Sequence, residues 1–189
     1  MADGNFWSGL GTVTRRRFVS IGAATGMATC AWESACAVVF RHPVERSAVR
    51  IALPGFLAAT PADAEPARLM REVIAANLAR NGRFVLIDPA AFPEKVPSVD
   101  EWPRFSDWRA IKAAALLVGR VARQSDGRIK VEFRLWDVSG DVSGATQLVA
   151  QQFLGAPGKY ADIANIIADD VYDAVLGEPG HFYAGASAR

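Results

Sequence analysis

The residues most able to do chemistry in this chain are two histidines, His42 and His181, two cysteines, Cys30 and Cys36, and a carboxylate cluster at Asp169, Asp170 and Asp173. A metal centre needs three or four convergent ligands, and neither histidine has a Cys, Asp or Glu partner at ligand spacing. Both read as structural or solvent-exposed. The carboxylates fall on the polar side of a helical pattern and read as a solvated face. The stretch 140–144 (GDVSG) sets its serine one position away from a nucleophile elbow and joins two strands, whereas an elbow joins a strand to a helix. It reads as a loop. No glycine-rich phosphate loop follows any strand, so a nucleotide cofactor is not expected. The expectation is a protein with no catalytic, cofactor or metal site, acting through its surfaces. Among the large aromatics, Trp102, Trp108 and Trp136 are candidate partner anchors, because tryptophan is favoured at interface hot spots. Trp108 reads as core. Trp136 lies on the polar side of an alternating strand and is the candidate exposed anchor.

The elements that carry these residues follow from periodicity. With 189 residues, 51% hydrophobic and 22% charged, the chain has the size of one domain with tails. Its formal net charge of +1 lacks the basic footprint of a nucleic-acid binder. The first 37 residues read as an export signal: Arg15, Arg16 and Arg17 precede Phe18, a small apolar run follows, and Ala35 and Ala37 flank Cys36 in an A-x-A pattern. Arg15 and Arg16 with Phe18 resemble a twin-arginine signal, read by a receptor, with general export as the alternative. The run is interrupted by Thr25, Thr29 and Glu33, which argues against a membrane anchor. Neither cysteine follows the Leu-led tripeptide of a lipoprotein. Cleavage after Ala37 leaves no cysteine, so the fold is expected to need no disulfide.

Residues 38–48 read as an extended mature N-terminus. A strand at 49–53 (VRIAL) is expected to stop at Pro54-Gly55. Thr60 and Pro61 open a helix whose face carries Leu69, Met70, Val73, Ile74 and Leu78, closed by Gly82. A fully apolar strand at 84–87 (FVLI) is expected to be covered on both faces. After a proline-rich connection over 89–104, with a helical turn near residues 90–92, Ser106 is expected to cap a second helix bearing Trp108, Ile111 and Lys112. Residues 115–118 form a buried strand. Ser125-Asp126-Gly127 makes a turn, and Ile129, Val131, Phe133 and Leu135 alternate with Lys130, Glu132, Arg134 and Trp136. A strand at 146–153 and a long helix ending at Gly177 complete the order β-α-β-α-β-β-β-α. That order predicts a three-layer α/β domain with a five-stranded mixed sheet.

Several stretches carry a family resemblance: VGRV at 118–121, Asp126-Gly127, FRLWDV at 133–138, Arg83-Phe84, Ile87-Asp88-Pro89, WRAI at 108–111, QQF at 151–153 and LGEPGHF at 176–182. In order and spacing they resemble the N-terminal domain of TolB, of alphaproteobacterial type, over residues 48–183. The resemblance implies an anticodon-binding-like α/β fold over 49–183, with a tail at 184–189. It implies a periplasmic, non-enzymatic Tol-Pal module serving outer-membrane integrity and cell-division constriction. Val38, Val39 and Phe40 stand where family members add a strand to TolA. In the family a β-propeller follows the position of Phe182 and resembles the Pal-binding surface; the sequence here ends at Arg189, so Pal binding is not expected to carry over. The alternatives are a truncated or orphan domain with little function, and a small-ligand-binding periplasmic α/β domain.

Overall fold

The structure is a computed structural model that describes residues 48–80, 82–93, 98–140 and 146–183, together with the backbone of residues 16–17. Its strands are β1 (Arg16–Arg17), β2 (Val49–Ala58), β3 (Phe84–Leu86), β4 (Ala115–Arg123), β5 (Ile129–Asp137) and β6 (Thr146–Gly155). Its helices are α1 (Ala64–Arg80), α2 (Phe105–Ala110) and α3 (Tyr160–Leu176). From residue 49 onward the order is the expected β-α-β-α-β-β-β-α, and five strands form one sheet in the order β6-β5-β4-β2-β3, with β1 outside β6. β2 runs parallel to β3 and β4, while β4, β5 and β6 form an antiparallel meander. The sheet is therefore mixed.

Side-chain alternation divides the strands between two cores. Ile51, Leu53, Leu117, Val131, Phe133, Leu135 and Phe153 face α1 and α3, where Met70, Ile74, Leu78, Ile163, Ile167 and Val171 meet them. Ala52, Leu116, Val118 and Trp136 face the other way, against Trp108 of α2 and Val99. The three layers are the α1/α3 pair, the sheet, and a thinner cover made of α2 with the 310 turn Pro89–Ala91.

Four local expectations give way. The first strand does not stop at Pro54-Gly55: β2 continues to Ala58 through a bulge, with one more residue than β4 between the pairs Ala52↔Leu116 and Gly55↔Val118. A bulge tolerates the missing proline donor, and Gly55 supplies the φ of +130° that it needs. The freed Leu53 carbonyl accepts from Arg71 Nε at 3.2 Å. Second, β3 is an edge strand, so Val85 is 43% exposed and not covered on both faces. Third, Leu69 is exposed on the flank of the α1 stripe. Fourth, Arg104 and not Ser106 occupies the N-cap of α2, and the Ser106 hydroxyl hydrogen-bonds Asp107 at 3.2 Å. α2 then ends at Ala110, with Lys112 at φ +59° and Arg50 donating to the carbonyls of Lys112 and Ile111 at 3.1 and 3.3 Å.

Candidate interaction surface

The thin layer of the domain is held in place by aromatic packing. Val99, in the 98–104 segment, is buried in the cluster with Leu116 and Val118 of the sheet, and Pro103 leads into α2, whose Trp108 is completely buried. Phe92 packs on Trp108 with ring centroids 5.4 Å apart. At the end of β5, Trp136 receives Trp102 at 4.9 Å and Phe105 at 5.3 Å, and Trp102 and Phe105 meet edge-on at 6.2 Å.

This geometry reverses the expectation for Trp136. Residue 136 does lie on the face away from α1 and α3, yet it is only 1% exposed, because the proline-rich connection folds over it. Trp102 is the exposed member, at 70%. Alternation identifies the face of a strand but not what covers that face, and the sequence signal for the cover was the Trp102–Pro103–Phe105 cluster beside α2. The indole N–H groups of Trp108 and Trp136 are buried without a hydrogen-bond partner.

Charge pins the same segment from the other side. Arg120 on β4 donates through Nη1 to Asp100 at 2.7 Å and through Nε and Nη2 to Glu132 at 2.9 and 2.5 Å. Lys130 Nζ lies 2.7 Å from the second Glu132 oxygen. Burial pushes the Glu132 carboxyl up, and the hydrogen bonds from Lys130 and Arg120 outweigh it, leaving the group below the ordinary glutamate range. Trp102 is thus a large exposed aromatic packed on the buried Trp136, and the Asp100–Arg120–Glu132–Lys130 array borders its segment through Asp100. Such a surface is suited to docking a protein partner.

The other residues singled out by the sequence do not join this surface. His181 is exposed beyond α3. Asp169 is more than a solvated acid: its carboxylate accepts from the backbone N–H of Phe182 at 2.8 Å and of Tyr183 at 3.0 Å, and so ties the segment after Gly177 back onto α3. Phe182 then packs edge-on against Tyr172. Arg109 Nη1 donates to the Gly140 carbonyl at 3.0 Å, at the start of the 140–144 loop. Arg15, Phe18, Ala35, Ala37, Val38, Val39, Phe40, His42, Cys30 and Cys36 lie outside the described residues, and Arg16 is described only as backbone in β1. Among the described residues, no cluster of three or more His, Cys, Asp or Glu could hold a metal, and no helix is long and apolar enough to cross a membrane.

Comparison with known proteins places the domain. Among solved structures, TolB from Acinetobacter baumannii is similar with a TM-score of 0.50 at 21% identity, over 70% of this chain and 29% of that chain. At that identity the likeness is one of fold, and the chain spans less than a third of that protein's length. A PelC dodecamer from Paraburkholderia phytofirmans aligns over 87% of this chain and 96% of its own, with 16% identity and a TM-score of 0.41. The model of the TolB amino-terminal domain matches residues 42–143, more than half of the chain and including β2 to β5 and the whole aromatic layer. The chain belongs to the TolB amino-terminal domain family.

Proposed function

We propose that the chain is an exported, non-enzymatic protein-interaction module of the Tol-Pal type, working in the periplasm. Family membership supports this reading, together with Trp102, the one large aromatic exposed among the described residues, which packs on the buried Trp136. The extended mature N-terminus, with Val38, Val39 and Phe40, is the proposed TolA-directed element; an extended segment binds by adding a strand to a sheet edge. Trp102 with its charged border is the proposed second contact surface. Roles in envelope integrity and division follow from the family and belong to this proposal. Export depends in the same reading on Arg15 and Arg16, with Phe18 behind them and cleavage after Ala37 of the A-x-A pattern that Ala35 and Ala37 form.

The test is capture of TolA and Pal from the same cell by the purified protein. Wild-type protein is expected to retain TolA, and Trp102→Ala to retain less of whichever component docks on the aromatic surface. Retention of neither component by wild type would remove the partner assignment. For export, Arg15→Lys with Arg16→Lys is expected to leave the protein in the cytoplasm, and unchanged export in cells lacking twin-arginine translocation would overturn that route.

A further inference from the structure

The outer edge of β6 is backbone without the usual protection. Natural sheets blunt an edge with lysine, proline, a short strand or a bulge, because unpaired N–H and C=O groups invite another strand. The ten residues of β6, TQLVAQQFLG, contain neither charge nor proline. Its single irregularity is at Leu148, near its start, and from Val149 to Gly155 it pairs regularly with β5. The opposite edge, β3, has only three residues. On the β6 edge lie Arg16 and Arg17, antiparallel to β6 and opposite Gln152 and Gln151. The sequence reading leaves residues 1–37 outside the fold, so this pairing joins the candidate export signal to the sheet.

We infer that the β6 edge is a strand-receiving site whose occupant in the uncleaved protein is the chain's own basic segment at Arg16–Arg17. The tether permits it. β1 is four strand spacings of ~4.8 Å from β2, and the link over residues 18–48 is far longer than the roughly six residues that cover that distance at ~3.3 Å each. A tethered segment meets its site at an effective concentration in the millimolar range, so its docking needs no second molecule. Two consequences follow. A receptor that reads the arginine pair competes with the sheet for the same backbone, a point that rests on the export reading proposed above. Removal of the segment then leaves β6 open to another extended strand. The docking itself does not depend on the export reading.

Disulfide trapping in the full chain tests the docking, with Cys30→Ser and Cys36→Ser to remove the native thiols. Facing strand residues have Cα separations that a disulfide bridges. The in-register pair Arg17→Cys/Gln151→Cys is expected to close an intramolecular bond about tenfold faster than the displaced pair Arg17→Cys/Thr146→Cys, as the ladder holds only the first pair together. Hydrogen exchange gives a second readout that leaves the domain intact. Arg16→Pro with Arg17→Pro removes the donors of the added strand and is expected to speed exchange in residues 150–153 about tenfold, with β4 and β5 unchanged. Equal trapping of the two pairs, bonds only between molecules, or unaltered exchange would each overturn the inference.

Discussion

The ring of Phe56 occupies the space where Gly119 would carry a side chain: a Cβ at residue 119 would sit 2.2 Å from Phe56 Cε1. The two residues are paired in the parallel β2–β4 register, and the bulge at Pro54-Gly55 returns Phe56 to the α1/α3 side. Gly119 is therefore a packing glycine in the middle of a strand. Gly119→Ala is expected to cost about 1–3 kcal/mol through overpacking. Phe56→Ala is expected to cost about 3–5 kcal/mol through the cavity it leaves. Since the alanine methyl enters that cavity, Gly119→Ala in the Phe56→Ala background should cost far less, a coupling of ~0.5–3 kcal/mol. Urea unfolding of the four proteins checks this, and additive losses would mean that the ring is not what excludes a side chain at residue 119.

Asp63 carries the junction between α1 and the sheet. It is 1% exposed; Oδ2 accepts from Thr60 N at 3.1 Å and Thr60 Oγ1 at 2.7 Å, and Oδ1 accepts from Arg123 N at 3.2 Å. Three donors converge on one carboxylate. Asp63→Ala removes the acceptor from donors on the exposed residues Thr60 and Arg123, which water can reach, and is expected to cost ~1–2 kcal/mol. Asp63→Asn keeps one acceptor oxygen and should lose less than Asp63→Ala. Thermal unfolding of both variants decides, and equal losses would assign the cost to charge alone.

How far the sequence carries can be read at particular residues. The alternation from Ile129 to Leu135 and the left-handed glycines Gly82, Gly127 and Gly177 fall where local rules put them, because each depends on backbone sterics and on one buried face. Pro54-Gly55 reads as a stop in sequence because the same pair breaks a strand or builds a bulge, and only the partner strand and Arg71 distinguish the outcomes. Trp136 follows the same logic: its face is legible, its cover is not. Four-residue apolar runs such as FVLI do not encode whether a neighbouring strand exists, so the exposure of Val85 at the β3 edge depends on topology. The candidate surface was thus half legible, in its aromatic residues but not in which of them faces solvent.

Acid should loosen the charged border before the core. The Glu132 carboxyl lies below its ordinary value of about 4.5, with burial raising it and the bonds from Lys130 and Arg120 lowering it by more. A folded-state pKa below the unfolded one contributes stability that is fully present above ~4.5 and is lost as pH falls through the folded value. Wild-type protein should therefore lose stability on acidification below about pH 4.5, and Glu132→Gln should lose less over the same interval. Only the difference between the two pH profiles reports on Glu132. Superimposable profiles would mean that its ion pairs do not contribute to folding.

The Trp102–Trp136 stack predicts a separation between stability and binding. Trp136 is buried in the sheet-side layer, so Trp136→Ala opens a cavity beneath α2 and should cost about 3–5 kcal/mol. Trp102 is 70% exposed and contributes mainly its ring contacts with Trp136 and Phe105, worth about 1 kcal/mol. Its removal should lower stability by only about 1 kcal/mol, well short of the loss at Trp136. If the ring is a partner anchor, the same truncation should weaken partner capture by ~2 kcal/mol or more, as interface hot spots do. Calorimetric binding and chemical unfolding of Trp102→Ala, run side by side, give both quantities. A loss of stability equal to the loss of binding would make Trp102 a lid for Trp136 and move the contact surface elsewhere.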